Sequence, residues 1–179
     1  MTSLNGKKIA FIATNGVEEP ELTEPWAAVR SAGGTPVLLS GEKGRITAMK
    51  GDWEHSNAYD VDQTVDTVEA ADFDALVLPG GTLNADALRL DPEVLRLVKE
   101  FDAAQKPIAA ICHAPWILIE AGLVEGRTVT SYASVATDLR NAAAHWVDRE
   151  VVVDANLVTS RDPGDLAAFS RELVRLTAD

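Results

Sequence analysis

The chain of 179 residues has a single cysteine, Cys112, and a histidine stands directly after it in the run "KPIAAICHAPW". A cysteine attacks a carbonyl carbon, or is oxidised, to the extent that its thiol ionises, so its placement decides its chemistry. Four apolar residues lead into Cys112, and "HAP" opens what reads as a helix almost without a loop. A strand-to-helix corner this tight pushes the side chain at its apex out at the sheet's edge, the geometry of a nucleophile elbow. Amides at the helix N-terminus would favour the thiolate and predict a pKa below that of a free thiol. The alternative is an ordinary core cysteine, since free cysteine is among the most buried residue types. His113 reads either as a base for this thiol or as a structural histidine at the helix start, and a side chain adjacent to the elbow is expected to point elsewhere.

Two other stretches hold polar groups that such a thiol would use. "LPGG" ends another apolar run, and the amides of Gly80 and Gly81 could cradle an anion beside the thiolate, although Pro-Gly-Gly is also an ordinary turn. "NGVEEPEL" offers Glu18, Glu19 and Glu21 after the first apolar run. Acids in a helix's first turn are commonly solvated partners of its dipole, which accounts for at least two of these three. One of them, buried against the thiol, would stay protonated through desolvation and like charge and could donate a hydrogen bond. Tyr132, Ser160 and Arg161 follow later apolar runs and are candidates to line a pocket, while Arg161 with Asp162 equally fits a helix-capping ion pair.

The elements that must position these residues read as alternating strands and helices. Strands are predicted over 8–13, 35–40, 75–78, 107–112, 127–131, 150–154 and 157–160, and helices over 21–31, 92–104, 114–121, 134–144 and 164–177. Several strands are apolar throughout, which suits central parallel strands covered on both faces. Asp91 before Pro92 predicts an N-cap, and Gly33 and Gly122 stand where helices should stop. The polar segment 44–65 predicts a short hairpin carrying pocket or interface residues. The pattern predicts one α/β domain over 1–179, a flavodoxin-like sandwich with a mostly parallel central sheet and helices on both faces. Ligands of such sheets bind outside the carboxyl ends of the strands, where the three stretches above lie.

With 28 acidic against 16 basic residues the net charge is −12, so phosphate backbones and anionic lipid surfaces are not expected partners. No apolar run approaches the ~20 residues of a membrane span, and a cytoplasmic location is expected. His55, His113 and His145 are scattered without paired spacing, so no metal is expected. Neither a phosphate loop nor a dinucleotide fingerprint occurs, so no nucleotide cofactor is expected.

Four stretches, "ALVLPGG", "KPIAAICHAP", "AGLVEGRTVTSY" and "WVDREVVVDANLVTSRDPGDLAAFSRELVRL", follow one another over nearly the whole chain in an order that resembles the PfpI family. That family lies within the superfamily of the parkinsonism-associated deglycase and of glutamine amidotransferase-like domains. The resemblance implies Cys112 as nucleophile, His113 as its neighbour, and Glu18 as the carboxyl that hydrogen-bonds the thiol, with the amides of Gly81 and His113 steadying an oxyanion. It also implies an acid supplied by an adjoining subunit, matched here by Asp86 if "GGTLNAD" holds one extra residue, and hence a homodimer or larger assembly. Ala114 stands where the family usually has glycine, and Trp116 where a polar residue is common, so the pocket shared with Gly80 and Tyr132 should be narrower or more apolar. The implied function is a cytoplasmic stress-protection enzyme acting without a cofactor on small dicarbonyls such as methylglyoxal, or on early glycation adducts. A PfpI-type cysteine peptidase acting on peptides, with His113 as base, is one alternative. A redox sensor whose Cys112 oxidises to a sulfinate is another.

Overall fold

The computed structural model describes residues 3–179. Along the chain run β1 (Lys8–Ile12), α1 (Glu19–Ser31), β2 (Thr35–Ser40), β3 (Arg45–Lys50), β4 (Glu54–Asp60), β5 (Gln63–Thr64), β6 (Ala75–Leu78) and α2 (Thr82–Leu88). Then follow α3 (Pro92–Ala103), β7 (Ile108–Ile111), α4 (Pro115–Glu120), β8 (Thr128–Val129), α5 (Ala136–Asn141), β9 (His145–Trp146), β10 (Val151–Asp154), β11 (Leu157–Ser160) and α6 (Leu166–Ala178). Seven strands form one sheet in the order β10-β11-β7-β6-β1-β2-β5, parallel except for β10. Asp154 pairs with Leu157, so Ala155 and Asn156 alone make the turn that reverses the chain into β11.

The apolar runs are continuous because both faces of the sheet are covered. Ile9 and Phe11 pack in one layer with Leu22, Val29, Leu166, Phe169 and Leu173, which places α1 and α6 on that face. Ala10 and Ile12 alternate into the opposite layer with Val94, Leu97, Phe101, Ile117 and Leu118 from α3 and α4. Asp91 caps α3 as predicted, accepting from the Glu93 and Val94 amides, and Gly33 and Gly122 follow α1 and α4 closely.

Two predicted segments differ, and one helix is additional. The strand expected over 127–131 is only two residues long and pairs with β9 off the main sheet. The helix expected over 134–144 becomes a 3₁₀ turn at Ala133–Val135 followed by α5, because Ala143 enters the left-handed region with φ 62° and the chain extends into β9. Helix α2 was not predicted: only Asn84, Ala85 and Leu88 are buried in it, too few for an apolar stripe.

Segment 44–65 does hold a hairpin, β3 with β4. It is stitched to the turn after β1, since Gly16 N donates to Thr47 O at 2.9 Å, Met49 N to Val17 O at 2.8 Å and Thr47 N to Asn15 Oδ1 at 2.8 Å. As β1, β6 and β7 are neighbours, their carboxyl ends and this hairpin meet at one place.

Candidate active site

Cys112 occupies the corner between β7 and α4 with φ 63°, a left-handed backbone that costs a non-glycine residue on the order of 1–3 kcal/mol. Two bonds hold the corner: Cys112 N donates to Ser160 O at 3.1 Å, and Tyr132 N donates to Cys112 O at 2.9 Å. The residue is 5 % exposed.

Gly80 makes room for what faces the thiol. Its amide donates to Glu21 Oε2 at 2.8 Å, and a Cβ built on it would lie 2.6 Å from Cys112 Cβ and against Glu21 Oε2. Only glycine lets the carboxyl of Glu21 and the thiol of Cys112 come within hydrogen-bonding reach here. Gly81 next to it has φ 94° and, with His113, directs a backbone amide at the sulfur. Burial pushes the fully enclosed Glu21 carboxyl up to about 8, against the pull of the Gly80 amide, so it holds a proton at neutral pH. Burial also pushes the Cys112 thiol up, a charged Glu21 would push it further, and the Gly81 and His113 amides pull it back. The predicted low thiol pKa is therefore corrected. Helix α4 begins three residues beyond the cysteine and is six residues long, too weak a dipole to outweigh the loss of water.

The carboxyl beside the thiol is Glu21, where the resemblance pointed to Glu18. Glu18 is the N-cap residue of α1 and turns to the hairpin, accepting from Gly51 N at 2.9 Å and Asp52 N at 3.1 Å. Glu19 also faces the hairpin. It accepts from Ser56 Oγ at 2.5 Å, Asn57 Nδ2 at 2.8 Å and Tyr59 Oη at 2.8 Å, and these bonds, Ser56 foremost, hold its carboxylate down at about 2. None of the three is a solvated first-turn acid. A signal for Glu21 existed in the sequence, since it precedes Pro25 and Val29 at steps of four and so shares their buried face of α1.

His113 does reach the sulfur, contrary to expectation, with Nδ1 3.1 Å from Sγ. The left-handed turn at Cys112 breaks the alternation that sends neighbouring side chains to opposite faces. The imidazole stacks on Tyr132 at 4.7 Å and lies 5.2 Å from the Trp116 ring, while Nε2 is 3.4 Å from Thr82 Oγ1 and 3.3 Å from Ser134 Oγ. Burial lowers its pKa. Thr82 in turn bonds Asp52, at the tip of the hairpin. Neither residue stood out in the sequence, because each borrows its partner from a distant segment.

The remaining candidates divide. Ala114 is fully buried beneath the corner, and Trp116 donates its Nε1 to Asp138 Oδ2 at 2.8 Å. Tyr132 and Arg161 line one cleft of about 310 Å³ with Trp146 and Asp148. Arg161 is paired with Asp165 at 2.9 Å and Asp148 at 2.7 Å, whereas Asp162 caps Gly164 N instead. Asp86 is exposed on α2. Among the described residues no group of three or more His, Cys, Asp or Glu is arranged to hold a metal ion, and no helix is long and apolar enough to cross a membrane.

Fold and corner together define a class, flavodoxin-like α/β proteins with a cysteine at the turn beyond a central parallel strand. A sequence profile of the DJ-1/PfpI family matches residues 7–176, and the chain belongs to that family. It is 43% identical over 169 residues to Deglycase PfpI of Pyrococcus furiosus, covering 94% of this chain and 98% of that protein. It is 42% identical over 170 residues to the Putative cysteine protease YraA of Bacillus subtilis, covering 95% and 98%. Among solved structures, a two-domain protein of Anabaena variabilis containing DJ-1/ThiJ/PfpI-like and ferritin-like domains superposes with a TM-score of 0.89 at 34% identity. That match covers 94% of this chain and 47% of the two-domain protein.

Proposed function

We propose that the protein is a cysteine-dependent enzyme acting on small dicarbonyls such as methylglyoxal, or on the early adducts they form with amines. The observation that carries this reading is the Glu21 carboxyl held against Cys112 with a pKa near 8, close to the pH at which it must both give and take protons. The thiol adds to the aldehyde carbon: the S–C bond forms, the S–H proton passes to His113 Nδ1, and the carbonyl oxygen takes a proton to give a hemithioacetal. The amides of Gly81 and His113, aimed at the sulfur in the resting protein, lie where they can steady the oxygen as its charge develops. Glu21, ionised after giving its proton to that oxygen, removes the hydrogen from the thiol-bearing carbon and returns one to the adjacent carbon, while the hydroxyl proton of the first carbon passes to the oxygen of the second, leaving a thioester. Water cleaves this to a hydroxy acid such as lactate and restores the thiol. No step calls for a cofactor. The name of the P. furiosus relative supports the class of activity.

A second reading, peptide hydrolysis, is favoured by the 3.1 Å approach of His113 Nδ1 to the sulfur, which gives the thiol a base within reach. The name of the B. subtilis relative supports it. A paired assay of purified protein on methylglyoxal and on an unstructured peptide, with Cys112→Ser as control, separates the two. Turnover of methylglyoxal alone supports the first reading, turnover of peptide alone the second, and turnover by Cys112→Ser overturns both.

The same reading has the enzyme work as a homodimer or larger assembly, with Asp86 serving a neighbouring copy. Its exposure on α2 supports this, as do the exposed Trp53, Leu83 and Leu90 on the hairpin tip and around that helix.

A further inference from the structure

We propose that Asp52 is a positioning residue for His113: acting through Thr82, it fixes the imidazole tautomer that leaves Nδ1 free to take the proton from Cys112. The inference rests on the reading of Cys112 and His113 as nucleophile and base, and deepens it.

Asp52 sits at the turn between β3 and β4 with φ 61°. Its Oδ1 accepts from Thr82 N at 2.9 Å and its Oδ2 from Thr82 Oγ1 at 2.7 Å. An ionised carboxylate can only accept, so the single hydroxyl proton of Thr82 is committed to Asp52. What Oγ1 has left to offer His113 Nε2, 3.4 Å away, is a lone pair. Nε2 must then bring the proton. In a neutral imidazole that leaves Nδ1 bare, and Nδ1 is the nitrogen 3.1 Å from the sulfur.

Ser134 makes this more than a formality. Its hydroxyl lies 3.3 Å from Nε2 and can donate or accept. Without Asp52, both Thr82 and Ser134 could donate to Nε2, and the ring proton would move to Nδ1, facing the thiol proton it should receive. Asp52 removes that option. Once the S–H bond breaks and Nδ1–H forms, the imidazolium presents Nε2–H to a hydroxyl backed by a carboxylate, and the charge of Asp52 acts on the ring through space, against burial. Glu18 holds the device in place by accepting from the amides of Gly51 and Asp52, which anchors the left-handed residue. The glutamate that the resemblance assigned to the thiol thus acts on it at a distance, through the hairpin.

The test uses full-length protein with ¹⁵N-labelled histidine. Three histidines give three sets of ring signals, and His113→Gln identifies its own by their loss. At neutral pH the wild type should show His113 with Nε2 protonated and Nδ1 bare. Thr82→Ser, which keeps the hydroxyl, should retain that tautomer and the rate of Cys112 alkylation by iodoacetamide within about twofold. Thr82→Val and Asp52→Asn should shift the ring toward Nδ1–H and slow alkylation by about ten- to a hundredfold. Ser134→Ala, which removes the competing donor, should leave the tautomer unchanged. A wild-type ring carrying its proton on Nδ1 overturns the proposal, as do folded Thr82→Val and Asp52→Asn proteins with unaltered ring signals and alkylation. The tautomer is read in resting protein, so a protein inactive on methylglyoxal still decides the relay separately from the function.

Discussion

Burial decides what Glu18, Glu19 and Glu21 do, because each carboxyl leaves water for a different set of donors. Glu21 meets one amide and one thiol, too little to stabilise a charge, and its pKa rises from the usual 4.5 to about 8. A raised folded-state value means its contribution to stability is complete below pH 4.5 and is lost as pH climbs toward 8. Glu21→Gln should therefore gain on the wild type between pH 5 and pH 8.5, by roughly 2–4 kcal/mol in chemical denaturation, while losing turnover. A gain of the same size at pH 4 would mean that the charge is not the cause. Glu21→Leu keeps the burial and loses the donor, so Cys112 should alkylate at a higher pH in that variant than in Glu21→Gln. Identical pH profiles for the two would remove Glu21 from the thiol's surroundings. Cys112→Ser should abolish turnover with stability changed by no more than about 1–2 kcal/mol, read from paired melting and activity measurements.

At the scale of elements, the β3–β4 hairpin is held unevenly: β3 buries Ile46, Ala48 and Met49, the first two in the same layer as α1 and α6, while β4 is held mainly by polar contacts. β4 has no buried residue and the hairpin lies outside the main sheet, so, beyond the packing of β3, the attachment of β4 and the tip depends on Glu18, Glu19 and the turn after β1. Glu19 alone accepts from Ser56, Asn57 and Tyr59, and such bonds to a charged group contribute about 1.5–3 kcal/mol each when intact. Glu19→Ala should cost roughly 2–3 kcal/mol and should speed amide hydrogen exchange over 51–57 well before the central strands respond. Because its folded value is depressed to about 2, the stability from Glu19 is present above pH 4.5 and lost as pH falls toward 2. Acid should therefore loosen the hairpin first. Exchange that rises uniformly across the molecule would mean that the hairpin is held by something else.

For the whole molecule, the three strand ends that form the corner belong to β1, β6 and β7, adjacent in the sheet although far apart in sequence. A sheet of this kind gathers loops from distant segments at one edge, and a neighbouring copy can add another. Sedimentation at micromolar concentration should show a dimer or larger assembly. Mixing Asp86→Ala with Cys112→Ser should restore part of the activity that each lacks, since one site of a mixed assembly has both residues intact. Activity retained in full by Asp86→Ala, or an active monomer, would remove the neighbour from the site.

The sequence by itself determined the layers and the corner. Continuous apolar runs require cover on both faces, and four apolar residues running into "CHAP" leave no length for a loop, so the sheet and the place of Cys112 were legible from local pattern. The amides of Gly80 and Gly81 were legible as well, because only glycine tolerates the close approach and the positive φ found there. The helical spacing of Glu21 with Pro25 and Val29 marked its buried face, but tertiary structure decided that this face meets the thiol, what the thiol's pKa does, and how His113 is oriented. Those depend on hydrogen-bond partners from segments 30 or more residues away: Glu21 accepts from the amide of Gly80, and Thr82 donates to Asp52. A charge's energy is set by the water it loses and the partners it meets, and neither is written in its neighbours along the chain.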